Sequence, residues 1–544
     1  MKIALAQINT RVGDIQGNLA KIRDFAHRAE GLGAQLCVFP EQCLGGYPAL
    51  DLWEEPGFIR ANLQALRALA KSAGRMGLLV GFTDANRRRV GKPIHNAVAL
   101  LHMGRVAAVR HKSLLPTYDV FDEARYFEPA ERNAPIRFLG ARLGATVCED
   151  AWAPAVLGSR RLYAADPVLS LAKAGAGILI NVSSSPFSRA KTKVRRSLFS
   201  GHARRLKRPM LYCNLVGGND EMIFDGNSLA FDARGRLVGQ GMAFGEDVLL
   251  VDTDAPAPVS AETQDETTEI AEALTLGIRD YVAKCGFERV FIGLSGGIDS
   301  AVTAALAERA LGAPHVTGVS MPSPYSSQGS VDDARALAAN LGLKLLSLPI
   351  TPIYTEYLAG LKDAFAGRPE GLAEQNIQSR IRGNLLMALA NKEGGLVVTT
   401  GNKSELSVGY CTLYGDMCGG LAALADVPKK TVYELARWFN REREVIPRSS
   451  IEKPPSAELK FDQKDQDDLP EYDVLDDILT AYIERRQDVD QIVRRGHKRA
   501  LVEDILSRID RAEYKRRQAP PSLKISDKAF GVGRRMPIAR GSYR

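Results

Sequence analysis

The sequence predicts two consecutive α/β domains joined by a short linker. The chain has 544 residues, and a single hydrophobic core rarely grows past roughly 250–300 residues. Short apolar runs of strand length alternate with amphipathic helical stretches through most of the chain. Residues 251–266 interrupt this alternation with a Pro-, Thr- and acid-rich stretch that is typical of a linker. We therefore predict domains over residues 1–250 and 267–544.

The first predicted domain contains nine strand-like runs. They cover residues 3–8, 35–39, 78–82, 97–101, 105–109, 145–148, 178–182, 210–214 and 228–231. Amphipathic helices are predicted between several of them, for example over residues 18–30 and 56–74. The turns at residues 91–93 and 103–104 are too short for a crossover helix, so part of the sheet is expected to be antiparallel.

The second predicted domain alternates more regularly. A helix ending at Lys284 precedes strands over 289–294, 316–321 and 344–348, with helices over 300–311 and 331–341 between them. This spacing predicts a doubly wound parallel sheet with its site at the carboxyl ends of the strands. The polar, Pro-containing stretch 451–471 predicts a mobile loop.

Composition narrows the class of protein. No apolar run reaches the roughly 20 residues of a membrane helix, and the first residues form a strand-like segment rather than a signal peptide. The seven cysteines contain no CxxC pair and the seven histidines no metal-binding cluster, so we expect a cytoplasmic protein without structural zinc. The net charge of +8 is compatible with small anionic substrates, nucleic acid or a membrane surface. For the basic residues between 515 and 540 we favour phosphate binding.

Three reactive side chains follow strand-like runs in the first domain. Glu41, Lys112 and Cys148 each come directly after, or within two residues of, such a run, and strand ends converge at one edge of an α/β domain. A cysteine nucleophile needs a base to take its proton. Glu41 can be that base, and Lys112 can stabilise the oxyanion of a tetrahedral intermediate. Each residue alone also has an ordinary structural explanation, because cysteine after an apolar run is usually a small buried hydrophobe.

The sequences around these residues resemble a known family. Residues 39–41, 111–118 and 147–152 resemble, in order, the three catalytic segments of the nitrilase superfamily. The resemblance covers residues 1–250 and implies a four-layer αββα sandwich that hydrolyses amides through an acyl-enzyme. It assigns the general base to Glu41, oxyanion support to Lys112 and the nucleophile to Cys148. Its glutaminase branch implies further contacts to glutamine from Tyr118, Glu123, Ser185 and Lys191.

A Gly-Gly turn opens the second domain's first crossover. Ser295-Gly296-Gly297-Ile298-Asp299-Ser300 follows an apolar strand that ends with Gly293 and Leu294. The glycines allow close approach to an anion, and the backbone N–H groups at a helix start bind phosphate. Asp299 can hold Mg²⁺ on the phosphates. The string is not a Walker A motif; it resembles the loop of the ATP pyrophosphatase family, whose members cleave ATP to AMP and pyrophosphate.

Further strings in the second domain resemble the NAD synthetase family. They lie at residues 376–383, 399–405, 414–416, 428–430, 455–459 and 513–518. The resemblance implies ATP contacts from residues 293–300 and from Thr400, Lys429 and Ser456. It implies deamido-NAD contacts from Asn376, Arg380, Glu405 and Lys515, with Glu405 as a second Mg²⁺ ligand beside Asp299. Leu413 and Gly420 depart from the family, because some relatives have substrate-binding Lys and Asp at those places.

Together the two resemblances imply glutamine-dependent amidation. The first domain releases ammonia from glutamine, and the second attaches it to deamido-NAD with ATP, giving AMP, pyrophosphate and glutamate. Free ammonia is mostly protonated at neutral pH and then is not a nucleophile, so we expect an internal ammonia passage between Cys148 and Asp299. Relatives are oligomers, so we expect a homo-oligomer that binds neither nucleic acid nor membrane.

Three other interpretations remain open from sequence. One is another glutamine-dependent amidotransferase, which a substrate panel with deamido-NAD would distinguish. A second is a tRNA-modifying enzyme with the same ATP loop, although the basic residues do not alternate with aromatic residues as base-stacking surfaces do. The third is an inactive scaffold, against which the intact catalytic strings argue.

Overall fold

The computed structural model describes residues 1–153, 156–157 and 160–541. The chain divides into two compact units, Met1–Gln264 and Asp265–Arg544. The last strand of the first unit ends at Asp252, so the first two residues of the predicted linker belong to that strand. No helix within the described ranges is long and apolar enough to span a bilayer.

Within its described residues, the first unit consists of two six-stranded sheets, two two-stranded sheets (β8-β9 and β12-β13) and four helices. Its strands are β1 (Lys2–Gln7), β2 (Leu36–Val38), β3 (Gly77–Ala85), β4 (Ile94–His102), β5 (Arg105–His111), β6 (Ile136–Phe138), β7 (Ala141–Val147), β8 (Val156–Leu157), β9 (Arg160–Arg161), β10 (Ile178–Ser183), β11 (Met210–Asn214), β12 (Val216–Asn219), β13 (Met222–Asp225), β14 (Leu229–Phe231), β15 (Leu237–Gln240) and β16 (Asp247–Asp252). Its helices are α1 (Ile15–Gly31), α2 (Pro56–Ser72), α3 (Pro167–Lys173) and α4 (Lys191–Leu206), with single 3₁₀ turns at Leu50–Glu54, Glu123–Arg125 and Cys148–Ala151.

The two large sheets pack face to face between layers of helices. One has the order β16-β1-β2-β3-β4-β5 and the other β15-β14-β11-β10-β7-β6. A cluster of buried side chains from both sheets fills the space between them. Separate clusters join α1 and α2 to the first sheet and α3 and α4 to the second. The predicted four-layer αββα architecture is confirmed, as is the antiparallel pairing of β3 with β4 and of β4 with β5.

The second unit is built on a five-stranded parallel sheet. Its strands are β17 (Val290–Gly293), β18 (Val316–Ser320), β19 (Lys344–Ser347), β20 (Leu396–Thr399) and β21 (Leu421–Ala422), in the order β19-β18-β17-β20-β21. Its helices are α5 (Glu266–Lys284), α6 (Ile298–Leu311), α7 (Gln328–Leu341), α8 (Thr351–Phe365), α9 (Leu372–Glu393), α10 (Lys403–Val408), α11 (Lys429–Phe439), α12 (Arg448–Glu452), α13 (Tyr472–Leu479), α14 (Val489–Val493), α15 (Arg499–Arg511) and α16 (Glu513–Arg516). Turns of 3₁₀ helix lie at Ala313–His315 and Asp465–Asp467, and a π-helical turn lies at Thr480–Glu484. The predicted doubly wound parallel sheet is confirmed.

Local sequence explains where the elements near the sites begin. Asp14 caps α1 by accepting a hydrogen bond from Gly17 N, and Pro56 is the first residue of α2, a position where proline costs no helical hydrogen bond. α6 begins at Ile298, two residues before the predicted start. Asp299 and Ser300 therefore lie in the first turn of this helix, where unpaired backbone N–H groups face the end of β17.

Candidate active sites

The three predicted catalytic residues of the first unit come from two facing sheets rather than from one edge. Glu41 follows β2 and Lys112 follows β5, which both belong to one sheet, whereas Cys148 directly follows β7 of the other sheet. Cys148 has a positive φ of 40°, a conformation that a side-chain-bearing residue adopts only when its surroundings enforce it. The sharp turn ends β7 and begins the 3₁₀ turn Cys148–Ala151.

Lys112 connects two carboxylates at this site. Its Nζ atom lies 2.8 Å from Glu41 Oε1 and 2.8 Å from Glu123 Oε1, and the three side chains are almost completely buried. The predicted base, oxyanion group and second acid are thus in direct contact. We call Glu41, Lys112 and Glu123, together with Cys148, the thiol centre.

Neutral side chains that sequence reasoning missed complete this network. Asn96 Nδ2 donates to Glu41 Oε1 at 2.7 Å and to Glu123 Oε2 at 3.3 Å. Tyr47 OH donates to Glu123 Oε1, and the backbone N–H of Ser184 donates to Glu41 Oε2. The one available signal for Asn96 was a polar residue inside the apolar run of β4.

Burial controls the protonation states of the thiol centre. Burial raises the pKa of the Cys148 thiol well above its usual range, and Glu41 adds to this effect while Lys112 opposes it. Burial raises the pKa of Glu123 to about 7 although Lys112 lowers it. Burial opposes the charge on Lys112, but Glu123 and Glu41 outweigh it and raise the pKa of the lysine well above its usual range. Cys148 is therefore a neutral thiol at neutral pH, and it would need a base to act as a nucleophile.

Tyr118 and Lys191 both lie near a carboxylate that was not predicted. Tyr118 OH lies 3.0 Å from both oxygens of Glu149, and Tyr163 OH lies 2.9 Å from Glu149 Oε1. Lys191 lowers the pKa of Glu149, which burial raises overall. Glu149 in turn raises the pKa of Cys148. Tyr118 and Lys191 are therefore connected to the surroundings of the thiol by way of Glu149.

Ser185 is held by a buried ion pair. Arg195 Nη1 contacts both carboxylate oxygens of Asp225, at 2.6 and 2.7 Å. Arg195 Nη2 donates to the carbonyls of Ser185 and Pro186, at 2.7 and 3.0 Å. Lys191 Nζ also donates to the Pro186 carbonyl, at 2.8 Å. Ser185 and Lys191, two of the predicted glutamine contacts, thus belong to one network. The sequence did not predict the other two members of this network, Arg195 and Asp225.

In the second unit, the loop 295–300 has the geometry expected of a phosphate-binding turn. Gly296 has a φ of +80°, and a Cβ at this position would lie 2.2 Å from the Ser330 carbonyl oxygen. Only glycine therefore fits against α7 at this point. Gly297 precedes α6, and the hydroxyls of Ser295 and Ser300 lie 3.3 Å apart across the turn.

A second buried lysine connects the two predicted metal ligands. Lys429 Nζ lies 2.5 Å from Asp299 Oδ2 and 3.2 Å from Glu405 Oε1. Asn402 Nδ2, which was not predicted, donates to Asp299 Oδ1 at 2.8 Å. Burial raises the pKa of Glu405 to about 7 although Lys429 lowers it. Burial opposes the charge on Lys429, but Asp299 and Glu405 raise its pKa above the usual range. We call Asp299, Glu405 and Lys429 the loop centre.

The other predicted dinucleotide contacts meet at the segment after α10. Asn376 Oδ1 accepts from Thr412 Oγ1 at 2.8 Å, and Arg380 Nε donates to the Leu413 carbonyl at 3.2 Å. Lys515 Nζ donates to the carbonyls of Gly409 and Cys411 at 2.8 and 2.7 Å. Two residues of α9 and one residue of α16 thus surround the five-residue segment 409–413.

Gly420 packs closely against the first residue of β20. A Cβ at Gly420 would lie 2.3 Å from Leu396 Cδ1. A longer side chain at this position would require Leu396 to move.

Thr400 and Ser456 are less closely tied to the loop centre. Thr400 directly follows β20, whereas Ser456 lies in the stretch 451–471, where its Oγ accepts from Glu458 N at 3.1 Å. Glu458 in turn bonds Ser327 and Ser330 of α7, at 2.8 and 2.7 Å from their hydroxyls. Within the part of the chain that the structure describes, no hydrogen bond joins Thr400 or Ser456 directly to Lys429.

Comparison with known proteins gives a family for each unit. Residues 2–257 match the carbon-nitrogen hydrolase family and residues 270–519 match the NAD synthase family. The fold and the two sites therefore define a two-domain enzyme that joins an amide-hydrolysing unit to a nucleotide-dependent synthase unit.

Relatives match over the full length. The chain is 46% identical to a glutamine-dependent NAD(+) synthetase from a Synechocystis strain and 41% identical to one from Thermotoga maritima, over 99% of this chain in each case and 99% and 98% of the relatives. A solved structure of glutamine-dependent NAD+ synthetase from Acinetobacter baumannii in complex with adenosine diphosphate matches with a TM-score of 0.79 and 38% identity, covering 99% of this chain and 98% of that one. This chain belongs to the glutamine-dependent NAD(+) synthetase family.

Proposed function

We propose that the thiol centre releases ammonia from glutamine and that the loop centre uses ATP to attach this ammonia to deamido-NAD. The observation on which the first half depends is the burial of the Cys148 thiol beside Glu41 and Lys112. The second half depends on the glycine turn beside Asp299 and Lys429 and on the ADP in the structure of the relative from Acinetobacter baumannii.

The thiol centre has the groups that amide hydrolysis needs. Glu41 accepts the proton of Cys148, and the thiolate attacks the side-chain amide of glutamine. Lys112 stabilises the negative oxygen of the tetrahedral intermediate. The intermediate expels ammonia, which takes a proton from the acid form of Glu41, and leaves a thioester. Water, deprotonated by Glu41, then hydrolyses the thioester to glutamate and regenerates the thiol.

Substrate recognition is assigned to the surroundings of the thiol. Tyr118, Ser185 and Lys191 bind the amino-acid end of glutamine, and Glu149 lies between Tyr118 and Lys191 as a partner for the substrate's ammonium group. Glu123 holds Lys112 between two carboxylates.

The loop centre positions ATP for attack on its α-phosphate. The nicotinate carboxylate of deamido-NAD displaces pyrophosphate and forms an adenylate, and ammonia then displaces AMP to give the amide. Residues 293–300, Lys429, Thr400 and Ser456 bind ATP, and Asn376, Arg380, Glu405 and Lys515 bind deamido-NAD. Catalysis here is mainly positioning and neutralisation of charge.

Asp299 and Glu405 are suited to Mg²⁺. Both place carboxylate oxygens around one point, at Lys429, and Mg²⁺ in nucleotide sites usually takes one or two protein carboxylates plus phosphates and water. Among the described residues no group of three or more His, Cys, Asp or Glu side chains could hold a metal alone, which fits a cation that binds with the nucleotide. When bound, Mg²⁺ neutralises phosphate charge.

The test is an assay with deamido-NAD, ATP, Mg²⁺ and either glutamine or ammonium. The wild-type protein is expected to form NAD, AMP and pyrophosphate from either nitrogen source, with glutamate from glutamine. Cys148→Ala is expected to lose glutamine-driven synthesis and keep ammonium-driven synthesis. Cys213→Ala, which removes another buried thiol, one that bonds the Ala6 and Val38 carbonyls, is the matched control. Loss of both activities in Cys148→Ala alone would contradict the division of labour.

A further inference from the structure

Arg382 is a partly buried cation of the second unit without a carboxylate partner. Its Nε donates to the Met321 carbonyl at 3.0 Å, and no Asp or Glu of the described chain forms an ion pair with it. Five other buried cations, in contrast, are paired with acids: Lys112–Glu41, Arg195–Asp225, Lys403–Asp426, Lys429–Asp299 and Arg516–Glu513.

The register of the sheet places Arg382 beside the phosphate loop. β17 and β18 are parallel with Gly293 opposite Val319, and Leu294 N donates to the Val319 carbonyl. Met321 directly follows β18, and Ser295, the first residue of the loop, lies two residues after the end of β17, so both lie at the carboxyl ends of neighbouring strands. The guanidinium bonded to the Met321 carbonyl thus stands at the same sheet edge as the loop.

The electrostatics of this position call for an anion. Burial lowers the pKa of Arg382 to about 10, and Glu458 is the single charge that raises it, so the side chain remains positive at neutral pH. The Glu458 carboxylate itself bonds Ser327 and Ser330 rather than Arg382. A buried charge without a partner is costly, and a guanidinium matches phosphate oxygens in a two-pronged geometry.

Arg380, on the same helix, points in a different direction from Arg382. Residues two apart on a helix point to different sides, and Arg380 bonds the Leu413 carbonyl while Arg382 bonds that of Met321. The two arginines of α9 therefore address separate ligand groups.

We propose that Arg382 binds a phosphate oxygen of ATP. This inference rests on the proposed use of ATP by the second unit. It separates the roles of the two arginines: Arg380 binds the dinucleotide and Arg382 binds the nucleotide that activates it.

The test uses the full-length protein with ammonium as nitrogen source, so that the thiol centre does not contribute. Arg382→Met is expected to raise KM for ATP by about tenfold to a hundredfold, the range for loss of a charged hydrogen bond. KM for deamido-NAD is expected to change less than twofold. Arg382→Lys, which keeps the charge without the fork, is expected to fall between wild type and Arg382→Met.

Two controls make the outcome decisive. Arg289→Met removes an arginine that pairs with Glu393 at the far end of α9 and is expected to leave both KM values unchanged. Direct titration with ATP and Mg²⁺, without dinucleotide, is expected to show the same loss of affinity in Arg382→Met, while glutaminase activity reports that the chain is folded. An unchanged affinity for ATP in Arg382→Lys and Arg382→Met, or a rise confined to the KM for deamido-NAD, would overturn the assignment. Failure of the wild type to make NAD despite binding ATP would instead overturn the proposed function.

Discussion

The thiol centre and the loop centre share one arrangement of charges. In each, a buried lysine lies between two carboxylates, Lys112 between Glu41 and Glu123 and Lys429 between Asp299 and Glu405. In each, burial raises the pKa of one carboxylate to about 7. The two carboxylates and one lysine leave a net negative charge in both places when both acids are ionised.

The two centres differ in how that charge is compensated. The side chains of Glu41 and Glu123 are 0% and 2% exposed and receive neutral hydrogen bonds from Asn96, Tyr47 and Ser184. Asp299 and Glu405 are 19% and 18% exposed and lie beside an open glycine turn. The thiol centre is thus closed and preorganised. In the proposed function, the more exposed loop centre would exchange its internal ion pairs for phosphates and a cation.

The largest effect is expected from removing the lysine of the closed centre. Lys112→Met should lower the rate of glutamine hydrolysis by about a thousandfold, because it removes the oxyanion charge and leaves two adjacent buried carboxylates. Ammonium-driven synthesis should remain. Lys21→Met, which breaks a half-exposed pair with Glu246, is the control. Glutaminase activity within tenfold of wild type would remove Lys112 from the mechanism.

The corresponding change in the open centre should act through the metal. Asp299→Asn is expected to lower ammonium-driven synthesis by about a hundredfold and to raise the Mg²⁺ concentration at half-maximal rate, because one of two carboxylate ligands is lost. Glutamine hydrolysis without ATP should continue. The measurement is a Mg²⁺ titration at saturating ATP, with Asp280→Asn, altered in the ion pair to Lys284, for comparison. An unchanged Mg²⁺ requirement would exclude Asp299 as a ligand.

A smaller effect is expected where the closed centre meets its substrate. Arg195→Met should raise KM for glutamine by about tenfold, with a lesser change in kcat, because the Ser185 and Pro186 carbonyls each lose one of their donors. Arg205→Met lies on the same helix and breaks the more exposed pair with Asp166, so it should leave KM unchanged. Steady-state kinetics with glutamine distinguish the two. A fall in kcat alone would place Arg195 in the chemistry instead.

The smallest effect concerns stability and pH. Glu123 has a folded pKa raised from 4.5 to about 7, so the folded state binds more protons than the unfolded state between these values. The contribution of this group to stability is therefore full below pH 4.5 and decreases as pH rises towards 7. Glu123→Gln should remove this decrease, so the variant should lose less of its melting temperature than wild type between pH 5 and pH 7, by a few degrees. Parallel melting curves for the two proteins would contradict the shift.

Sequence predicted the groups that react better than the groups that hold them. Glu41, Lys112 and Cys148, and the loop 295–300, are recognisable because reactive residue types occur in short strings after strands. Asn96 lies 55 residues from Glu41 and Tyr47 lies 76 residues from Glu123, and each pair comes into contact only when the chain folds. No local pattern announces such contacts.

The remaining differences between the sequence predictions and the structure also arise from tertiary structure. The catalytic residues come from two facing sheets because the sandwich, not a single sheet edge, brings β2, β5 and β7 together. The helices that follow Tyr472 form their own apolar cluster, which the alternation of strands and helices did not predict. The lack of an acidic partner for Arg382 is a property of the tertiary structure, and the residues next to it in the sequence do not indicate it.

We propose that ammonia released at the thiol centre reaches the loop centre without mixing with ammonia in the solvent. It is tested most directly by supplying glutamine labelled with ¹⁵N in its amide together with an equal concentration of unlabelled ammonium, and by measuring ¹⁵N in the carboxamide of NAD by mass spectrometry. We predict that NAD from the wild type is almost entirely labelled and that NAD from Cys148→Ala is unlabelled. Labelling of wild-type NAD only in proportion to the ammonia accumulated in solution would contradict the account.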